Sequence, residues 1–548
     1  MSRSNGARPH VPSTSGWDVV VIGSGFGGSL AAHRLVEAGL RVLMLERGDW
    51  VARGPHNRDW SIHWNDRPEY SLETPYRLVG DGPPEMGAFH CVGGPSVFYG
   101  GVSLRLREAD FQGAPEVTGD VRWPFDYAEL EPYYDEVERL LGVSGDGSDD
   151  PTSPPRSSPL PPTPMQLSAT SKGLADAARR LGLSPFRLPL ALNLNGHSGR
   201  TRCTACGVCD GYACSLGAKN DLATAVLPQL IAKGLVLRPN TVALSLESEG
   251  DRVVAALCVD RVTGERLRFE ADQFVVAAGA LATPHLLLSS GLERRNPAGD
   301  EVGRHLMRHC NGIVVGASPP PLGEADEFRK QIGLHDFYFG DPASREIGSK
   351  LGAIQQVRAT QIAVSMAKLP RSVKRAIYPF VERLVGFIVI AEDQPRRENR
   401  VRIDPGQRDQ FGRPAARIEH RYTPRDHLAR RVLGDRADEI LREAGSAFTV
   451  RVSVPTFSHG VGTVRMGEDP SRFPVTPDGR FRGVANLRVT DGSVFPTSGA
   501  VNPSLSISAI ALRIASDMVA TRTAAPAARV ALPRRRAAPL PVVGRREA

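Results

Sequence analysis

The chain has 548 residues, which is too long for one ordinary hydrophobic core and predicts two intertwined or sequential domains. Its 41% hydrophobic and 23% charged residues are typical of a globular protein and exclude disorder throughout the chain. The formal net charge of +8 would suggest nucleic-acid binding if it were spread over the surface.

The excess positive charge lies at the two chain ends. Residues 524–548 carry six arginines and one glutamate, and residues 1–16 carry two arginines and no acid. The body of the chain is therefore close to neutral, which excludes a broad phosphate-binding surface and hence a nucleic-acid partner. Both ends are rich in Pro, Ala, Ser and Gly, a composition that predicts disordered tails.

The sequence also indicates the cellular compartment in which the protein is expected. The N-terminus MSRSNGARPHVPSTSG lacks the apolar core of a secretory signal, and we expect no apolar run long enough to span a bilayer. Seven cysteines, an odd number with four of them clustered, argue against a secreted disulfide framework. We therefore expect a cytoplasmic protein.

Residues 17–48, WDVVVIGSGFGGSLAAHRLVEAGLRVLMLERG, predict a strand, a helix and a second strand. The run Val19–Ile22 is apolar and β-branched, as in a buried parallel strand. A helical pattern follows as far as Gly39, and the strand Arg41–Leu45 ends on Glu46. Strand, helix, strand and terminal acid in this order are typical of a dinucleotide site.

The turn after the first strand has the spacing G-x-G-x-x-G at Gly23, Gly25 and Gly28. The first glycine permits a tight turn, the second lets a pyrophosphate approach the backbone, and the third lets helix and strand pack closely. The helix N-terminus attracts phosphate charge, and the Glu46 carboxylate can accept a hydrogen bond from a ribose hydroxyl. This pattern does not choose between NAD and FAD.

A second glycine-rich run, CVGGPSVFYGG, occupies residues 91–101. Backbone of this kind can pack against a flat or anionic ligand, although a tight structural loop would look the same. Its candidate ligand contacts are Gly93, Gly94, Ser96, Tyr99 and Gly100.

The middle and end of the chain alternate between loops and regular elements. Residues 110–145 predict a loop and an acidic helix, and residues 146–164 predict a surface loop rich in Asp, Ser and Pro. Residues 274–291 predict a buried strand, a Gly/Ala turn and a helix. Residues 399–422 predict two paired strands, and residues 486–519 predict a strand, a loop and a helix.

The segment CTACGVCDGYACSLGAKND, residues 203–221, carries Cys203, Cys206, Cys209 and Cys214. This spacing resembles iron–sulphur or zinc ligand sets, with an iron–sulphur cluster the better match to an electron-transferring enzyme. The alternative is a reduced, partly buried loop without metal, and we favour that interpretation.

Residues 365–390, SMAKLPRSVKRAIYPFVERLVGFIVI, mix basic and apolar side chains. Lys368, Arg371, Lys374 and Arg375 could rest on a membrane surface, which would make peripheral membrane contact an alternative. We favour a helix followed by a buried strand.

Near the C-terminus, SHGVGTVRMG at residues 458–467 places His459 at the head of a glycine-rich turn. A lone histidine is more often a satisfied core residue than a catalytic base, so its interpretation depends on the rest of the chain.

With these motifs identified, the chain resembles the glucose–methanol–choline (GMC) family of FAD-dependent oxidoreductases from about Trp17 to Val519. The matching motifs are GSGFGG, VGGPSVFYGG, AAGALATPHLLLSSG, VGRHLMRH, SHGVGTVRMG and LRVTDGSVFPTSGAVNP. The resemblance implies a mixed α/β and α+β fold. A Rossmann-like FAD-binding domain would be built from discontinuous segments, beside a substrate-binding domain with an antiparallel sheet.

The domain boundaries expected on this basis divide the chain as follows. They are a disordered tail at 1–16, the FAD-binding domain at 17–110, 200–300 and 455–520, the substrate-binding domain and connecting loops at 111–199 and 301–454, and a basic disordered tail at 521–548.

The resemblance also implies roles for individual residues. It places the catalytic pair at His459 and Asn502, with His459 as the base and Asn502 holding the substrate hydroxyl in line. Pro503 suits the first turn of the helix that follows. Further FAD contacts implied by the resemblance are Phe26, Gly27, Val242, Ala278, Asp491, Gly492, Asn502 and Pro503.

The implied activity is oxidation of a small-molecule alcohol to a carbonyl by hydride transfer to FAD. The substrate could be a lipophilic alcohol, a sterol or a sugar. The electron acceptor could be oxygen, a quinone or a protein, and we favour a dehydrogenase over an oxidase. The alternatives are a flavin-containing lyase of the same fold and a nicotinamide-dependent dehydrogenase.

Overall fold

The computed structural model describes the chain with several gaps. The described residues are 13–59, 61–62, 76–80, 89–146, 149–196, 199–207, 209–317, 328, 330–344, 347, 350–358, 368–381, 383–454 and 456–524.

The described residues form the following strands and helices. The strands are β1 Ser13–Ile22, β2 Val42–Leu45, β3 Tyr76–Gly80, β4 Phe186–Arg187, β5 Val236–Arg238, β6 Thr241–Glu249, β7 Arg252–Asp260, β8 Arg266–Val276, β9 Cys310–Ala317, β10 Ile332–Leu334, β11 Gly352–Val357, β12 Leu384–Ala391, β13 Arg400–Arg408, β14 Pro414–His420, β15 Thr449–Ser453 and β16 Leu487–Val489. The helices are α1 Phe26–Glu37, α2 Glu108–Gln112, α3 Pro115–Thr118, α4 Tyr127–Leu140, α5 Ala169–Arg180, α6 Leu222–Ala225, α7 Leu227–Ala232, α8 Gly279–Ser289, α9 Arg371–Val381, α10 Pro424–Glu443 and α11 Ser504–Ala524.

The first sheet has the strand order β5-β2-β1-β8-β7-β6, with β16 also paired to β8. Strands β5, β2, β1, β8 and β16 run parallel, and β7 and β6 continue the sheet antiparallel. Val20 lies between Leu43 and Phe274 in register, and all three side chains are buried. The parallel strands come from three distant parts of the chain, which confirms a Rossmann-like domain built from discontinuous segments.

The second sheet is antiparallel, with the order β15-β9-β12-β11-β10-β4. One face packs on α10, where Val314, Phe387 and Ile354 meet Leu433 and Ile440 in a single apolar cluster. Helix α10 begins at a capping box in which Thr423 and Asp426 each bond the other's backbone N–H. The antiparallel sheet of the second domain is thus confirmed.

A third, smaller sheet contains the hairpin β13–β14 predicted at residues 399–422, together with β3. Strand β3 belongs to a segment that we assigned to the FAD-binding domain, yet it pairs with β14 in parallel. Helix α4, assigned to the substrate-binding segments, packs on α11, where Tyr134 and Ser506 hydroxyls lie 2.6 Å apart. The sequence-based boundaries therefore differ from the packing at these two elements, because pairing partners distant in sequence decide where a segment lies.

The expected tails are shorter than predicted at both chain ends. Strand β1 begins at Ser13, where Ser13 and Thr14 pair with Arg268 and Phe269 of β8. Backbone pairing, which polar side chains do not prevent, extends the strand into the region expected to be disordered. At the other end, α11 continues to Ala524, into the expected basic tail. Residues 1–12 and 525–548 lie outside the described residues.

Helix α11 also corrects the expectation that no apolar run is long enough to cross a membrane. By length and composition Ser504–Arg522 passes that test. The helix packs against α1 and α4, and more than half of this window is buried inside the protein. Burial of this extent is typical of the core helix of a globular domain.

The basic and apolar segment at 365–390 forms helix α9 followed by β12. Strand β12 is paired on both edges, with β9 and β11, and most of its side chains are buried. This is the helix and buried strand that we favoured. Residues 365–367 and 382 lie outside the described residues, and membrane contact stays an untested alternative.

Candidate functional site

The glycines of the first turn have distinct surroundings. Gly23 has φ of +104°, and an added Cβ would overlap the Ala277 carbonyl. A Cβ on Gly27 or Gly28 would overlap backbone atoms of Thr490 or Gly23. Gly25 differs from all of these, because the nearest atom to its Cβ position is the Pro95 side chain at 4.0 Å.

Gly25 is also the N-cap residue of α1, and no side chain caps the helix. The first turn of α1 therefore presents backbone N–H groups toward space that the protein leaves open beside Gly25. Phe26, the first helical residue, packs edge-on against the Tyr99 ring with the ring centroids 5.4 Å apart.

Glu46 joins the end of β2 to both glycine-rich runs. Its carboxylate accepts hydrogen bonds from the backbone N–H and hydroxyl of Ser24, at 3.0 and 2.6 Å, and from the Gly48 N–H at 2.8 Å. The Ser24 hydroxyl in turn accepts from the Gly93 N–H at 2.9 Å. Because a carboxylate has about four acceptor positions, Glu46 retains one for a ribose hydroxyl.

Several predicted contacts in the second run use their polar atoms within the protein. The Ser96 hydroxyl donates to the Gly93 carbonyl and accepts from the Leu222 N–H. The Tyr99 hydroxyl donates to the Asn220 carbonyl at 3.0 Å. These side chains shape the loop, so a ligand would meet backbone and ring surface rather than their hydroxyls.

The remaining glycines of this run lie where a side chain would be obstructed. Gly93 and Gly94 have φ of +88° and +55°. A Cβ on Gly100 would overlap the Asp210–Lys330 ion pair. This crowding explains why the run is rich in glycine.

Asp491 ties the C-terminal segment to α8. Its carboxylate accepts from the Gly279 N–H at 2.8 Å, the Thr283 hydroxyl at 2.5 Å and the Ser493 N–H at 2.8 Å. Ala278 is the N-cap residue of α8, and a Cβ on Gly492 would press on Ile507 and Val461. The Asp491 side chain is therefore committed to the protein, which leaves backbone as the ligand contact at this corner.

Val242 follows Thr241, whose backbone N–H donates to the Glu46 backbone carbonyl at 2.8 Å. It is buried at the start of β6, in a small apolar cluster with Leu244 and Val259 against which Phe411 packs.

The residues present fit FAD. The uncapped start of α1 beside Gly25 offers donors and open space for a pyrophosphate, and Glu46 retains an acceptor position for a ribose. The hydroxyl of Ser493, next to Gly492, is buried and has no hydrogen-bond partner within the described part of the chain.

The two histidine motifs meet across a short antiparallel contact. Met307 and Val461 exchange backbone hydrogen bonds at 3.0 and 2.9 Å, which brings His309 opposite His459. Their Nδ1 atoms lie 2.9 Å apart, and the rings are nearly perpendicular. His309 is held in a left-handed conformation with φ of +59°.

The hydrogen bonds of His309 determine which nitrogen of His459 is basic. Burial lowers the pKa of His309, so it is neutral at neutral pH. Its Nε2 lies 3.3 Å from the Ser498 carbonyl, which can only accept, so Nε2 carries the proton and Nδ1 is an acceptor. His459 must then donate from Nδ1, and its Nε2 keeps a free lone pair.

The loop before α11 is held by residues of the substrate-binding segments. The Ser498 hydroxyl donates to Asp393 at 3.0 Å, and the Ala500 N–H donates to the Tyr338 hydroxyl at 3.1 Å. The Asn502 side-chain oxygen accepts from Gln355 Nε2 at 2.8 Å. Because His309 bonds to both His459 and Ser498, it connects the two predicted catalytic segments.

Pro503 lies one residue before α11, and its carbonyl accepts the first helical hydrogen bond, from Ile507 at 2.9 Å. It therefore takes the capping position rather than the first helical turn that we expected.

Sequence reasoning missed two residues at this site. His309 is the last residue of the motif VGRHLMRH. The position of that motif among the other family motifs was the sequence signal that could have pointed to it. Gln355 lies on a central strand of the second sheet and carried no motif. Only the packing of that sheet on the nucleotide-binding domain brings it to Asn502.

The cysteine loop lies beside the second glycine-rich run. Its four cysteines line one pocket and, like every cysteine in the described residues, are unpaired. Burial raises the pKa of Cys203 to about 11 and that of Cys209 above its ordinary value. Among the described residues no group of His, Cys, Asp and Glu side chains is arranged to hold a metal ion.

Comparison with known protein families assigns most of the chain. Two family profiles described as GMC oxidoreductase match residues 84–311 and 395–511. A profile described as NAD(P)-binding Rossmann-like domain matches residues 21–68.

Individual relatives match over nearly the whole length. The chain is 33% identical to paromamine 6'-oxidase of Streptomyces fradiae and 34% identical to 6'''-hydroxyparomomycin C oxidase of Streptomyces lividus, with 93% of each chain covered in both cases. It is 29% identical to 2-methyl-1,2-propanediol dehydrogenase of Mycolicibacterium austroafricanum, over 92% of this chain and 95% of the relative.

Among solved structures, pyridoxine 4-oxidase from Mesorbium loti superposes with a TM-score of 0.63. The match has 21% sequence identity and covers 92% of this chain and 99% of that one. At this identity the likeness shows a shared fold.

Proposed function

The chain belongs to the GMC oxidoreductase family and is an FAD-dependent oxidoreductase of CH–OH donors. On this premise, we propose that it oxidises a hydroxyl group of a polyhydroxylated small molecule to a carbonyl. We propose His459 as the base and Asn502 as the residue that holds the hydroxyl. The observation that supports this most directly is His309, which orients His459 and binds the loop of Asn502.

The oxidation removes a proton from oxygen and a hydride from carbon. A free hydroxyl is too weak an acid for neutral imidazole to ionise in a separate step, so proton removal must accompany hydride departure. Nε2 of His459 takes the hydroxyl proton, and the side chain of Asn502 holds the oxygen in line. FAD, when bound, supplies the acceptor for the hydride.

The proposed substrate class is supported by the relatives and by the polarity of the site. Relatives at 27–34% identity include enzymes named for paromamine, hydroxyparomomycin, a propanediol and fructose. The half-buried Asp210 forms an ion pair with the buried Lys330 near His459, and the Asn502 side chain is half-buried beside it. These groups favour a hydroxylated substrate over a sterol or a long-chain alcohol.

The test is anaerobic reduction of the bound flavin by a panel of alcohols. We expect sugars, amino sugars and diols to bleach the flavin absorbance, and long-chain alcohols to bleach it slowly. A flavin that dithionite reduces but no alcohol does would overturn the proposal. Bleaching by a reduced nicotinamide alone would support a nicotinamide-dependent enzyme, and substrate cleavage without net redox would support a lyase.

The electron acceptor is tested with the same preparation. Relatives carry the names of both oxidases and dehydrogenases. Our expectation of a dehydrogenase predicts that the alcohol-reduced protein reoxidises slowly in air and rapidly with a quinone or an artificial dye.

We expect the pH profile of kcat/KM to reflect the low pKa of His459. Burial, and then the neighbouring His309 and Lys330, hold the pKa of His459 well below its ordinary value. The base works when neutral, so activity persists above this pKa and is lost as pH falls through it. We expect kcat/KM to stay constant as pH falls past about 6.5, where an ordinary histidine would be half-protonated.

The Lys330→Met variant tests the cause of this shift. Removing the ammonium beside His459 should move the acidic limb of the profile to higher pH. An acidic limb at about pH 6.5 in the unmodified enzyme would contradict the assignment of His459 as a base with a lowered pKa.

A further inference from the structure

Gln355 lies on the face of the second sheet that points toward the nucleotide-binding domain. Its neighbours on β11 point the other way: Ile354 joins the apolar cluster under α10, and Gln356 accepts a hydrogen bond from Ser171 of α5 at 2.9 Å. Strand alternation therefore directs Gln355 to the opposite face, where its Nε2 donates to the Asn502 side-chain oxygen.

This hydrogen bond distinguishes the two ends of the Asn502 amide. An asparagine side chain accepts at Oδ1 and donates at Nδ2, and the Gln355 nitrogen can only donate. The hydrogen bond therefore holds Oδ1 on the side of Gln355, and Nδ2 is the end that faces a ligand. Gln355 is fully buried whereas Asn502 is half-buried, so only the second residue can meet a ligand.

The orientation matters because of what happens to the substrate oxygen. The hydroxyl gives its proton to His459 Nε2, and the oxygen becomes a carbonyl, which can only accept hydrogen bonds. A donor at Asn502 stabilises that oxygen increasingly as the reaction proceeds, whereas the amide oxygen in the same place would repel it.

We propose that Gln355 is a positioning residue that holds the Asn502 amide with its N–H₂ end toward the substrate oxygen. Gln355 acts through Asn502 and touches no reacting atom. The inference rests on the proposed function, and alcohol-dependent flavin reduction in the unmodified enzyme tests that function separately.

The Gln355→Glu variant makes the orientation depend on pH. A protonated carboxyl group can donate to Asn502 Oδ1 as glutamine does, but a carboxylate can only accept and would draw Nδ2 toward itself. Burial raises the pKa of such a carboxyl group. We expect kcat near that of the unmodified enzyme at low pH and a fall of at least tenfold as pH rises through the new pKa.

Two controls separate amide orientation from other effects. Gln356→Glu places the same group one residue away on the opposite face, where Ser171 and the Gln331 N–H can donate to it, and should add no such limb. When Asn502→Ala is also present, Gln355→Glu should no longer make kcat fall as pH rises. A limb that persists there would show that the new charge acts directly on the reaction and would overturn the proposal.

A Gln355→Glu protein with a pH profile like that of the unmodified enzyme would also overturn it. If that variant does not fold, Gln355→Met provides the test, because it removes the donor without adding charge. We expect Gln355→Met to lower kcat with little change in KM and to cause no further loss when combined with Asn502→Ala. Additive losses would contradict action through Asn502.

Discussion

Replacing His459 by alanine is expected to lower kcat for alcohol oxidation by about 10³-fold while the protein keeps its FAD, since general-base catalysis contributes about 10²–10⁴-fold. The substitution removes the basic Nε2 of His459, whose lone pair is free because Nδ1 donates to His309. Stopped-flow flavin reduction under anaerobic conditions measures this step, and the visible spectrum of the variant measures its FAD content.

Two companion variants sharpen this result. His459→Gln keeps a polar side chain of similar size but cannot take the proton, so it should be as slow as the alanine variant. His56→Ala removes an exposed histidine distant in sequence from the catalytic motifs and should leave kcat unchanged. Flavin reduction at the normal rate in His459→Ala would refute the assignment of the base.

The second large effect concerns FAD binding. Gly25→Ala should yield a folded protein that binds FAD on the order of 10–100-fold more weakly, because overpacking costs about 1–3 kcal/mol and each 1.4 kcal/mol is tenfold in Kd. The protein has room for the added methyl group, which is 4.0 Å from Pro95, but the methyl group enters the space beside the start of α1. Flavin content after purification and FAD titration of the apoprotein measure the change.

Matched glycine variants identify the cause of that loss. Gly173→Ala, on an exposed part of α5 where a Cβ meets nothing within 4 Å, should raise stability by about 0.5–1 kcal/mol without affecting FAD. Gly28→Ala should prevent folding of the domain, because its Cβ would overlap the Gly23 carbonyl. Normal FAD affinity in Gly25→Ala would show that the cofactor does not approach the backbone there.

Local sequence determined the nucleotide-binding half of this protein to a large extent. The run from Val19 through Gly28 to Glu46 predicts its own strand, turn and helix, because glycine spacing and continuous apolar residues act over a few positions. The hairpin at 399–422 was predictable for the same reason. The motif around His459 required comparison with a family before a catalytic role could be favoured.

Other features depend on contacts between residues far apart in the chain. Ser13 and Thr14 join the first sheet through backbone pairing with β8, which their own side chains do not indicate. The hydroxyls of Ser96 and Tyr99 face backbone carbonyls once the loop has folded, so their residue types alone did not reveal their partners.

The catalytic residues show most clearly which features local sequence determines and which depend on long-range contacts. The sequence by itself determined that His459 and Asn502 occur in recognisable motifs, because motif identity is a property of neighbouring residues. Only the tertiary structure decided which nitrogen of His459 is basic and which end of the Asn502 amide is free. Those properties are set by two single hydrogen bonds, the one that His459 donates to His309 and the one that Asn502 accepts from Gln355, each joining residues about 150 positions apart in sequence.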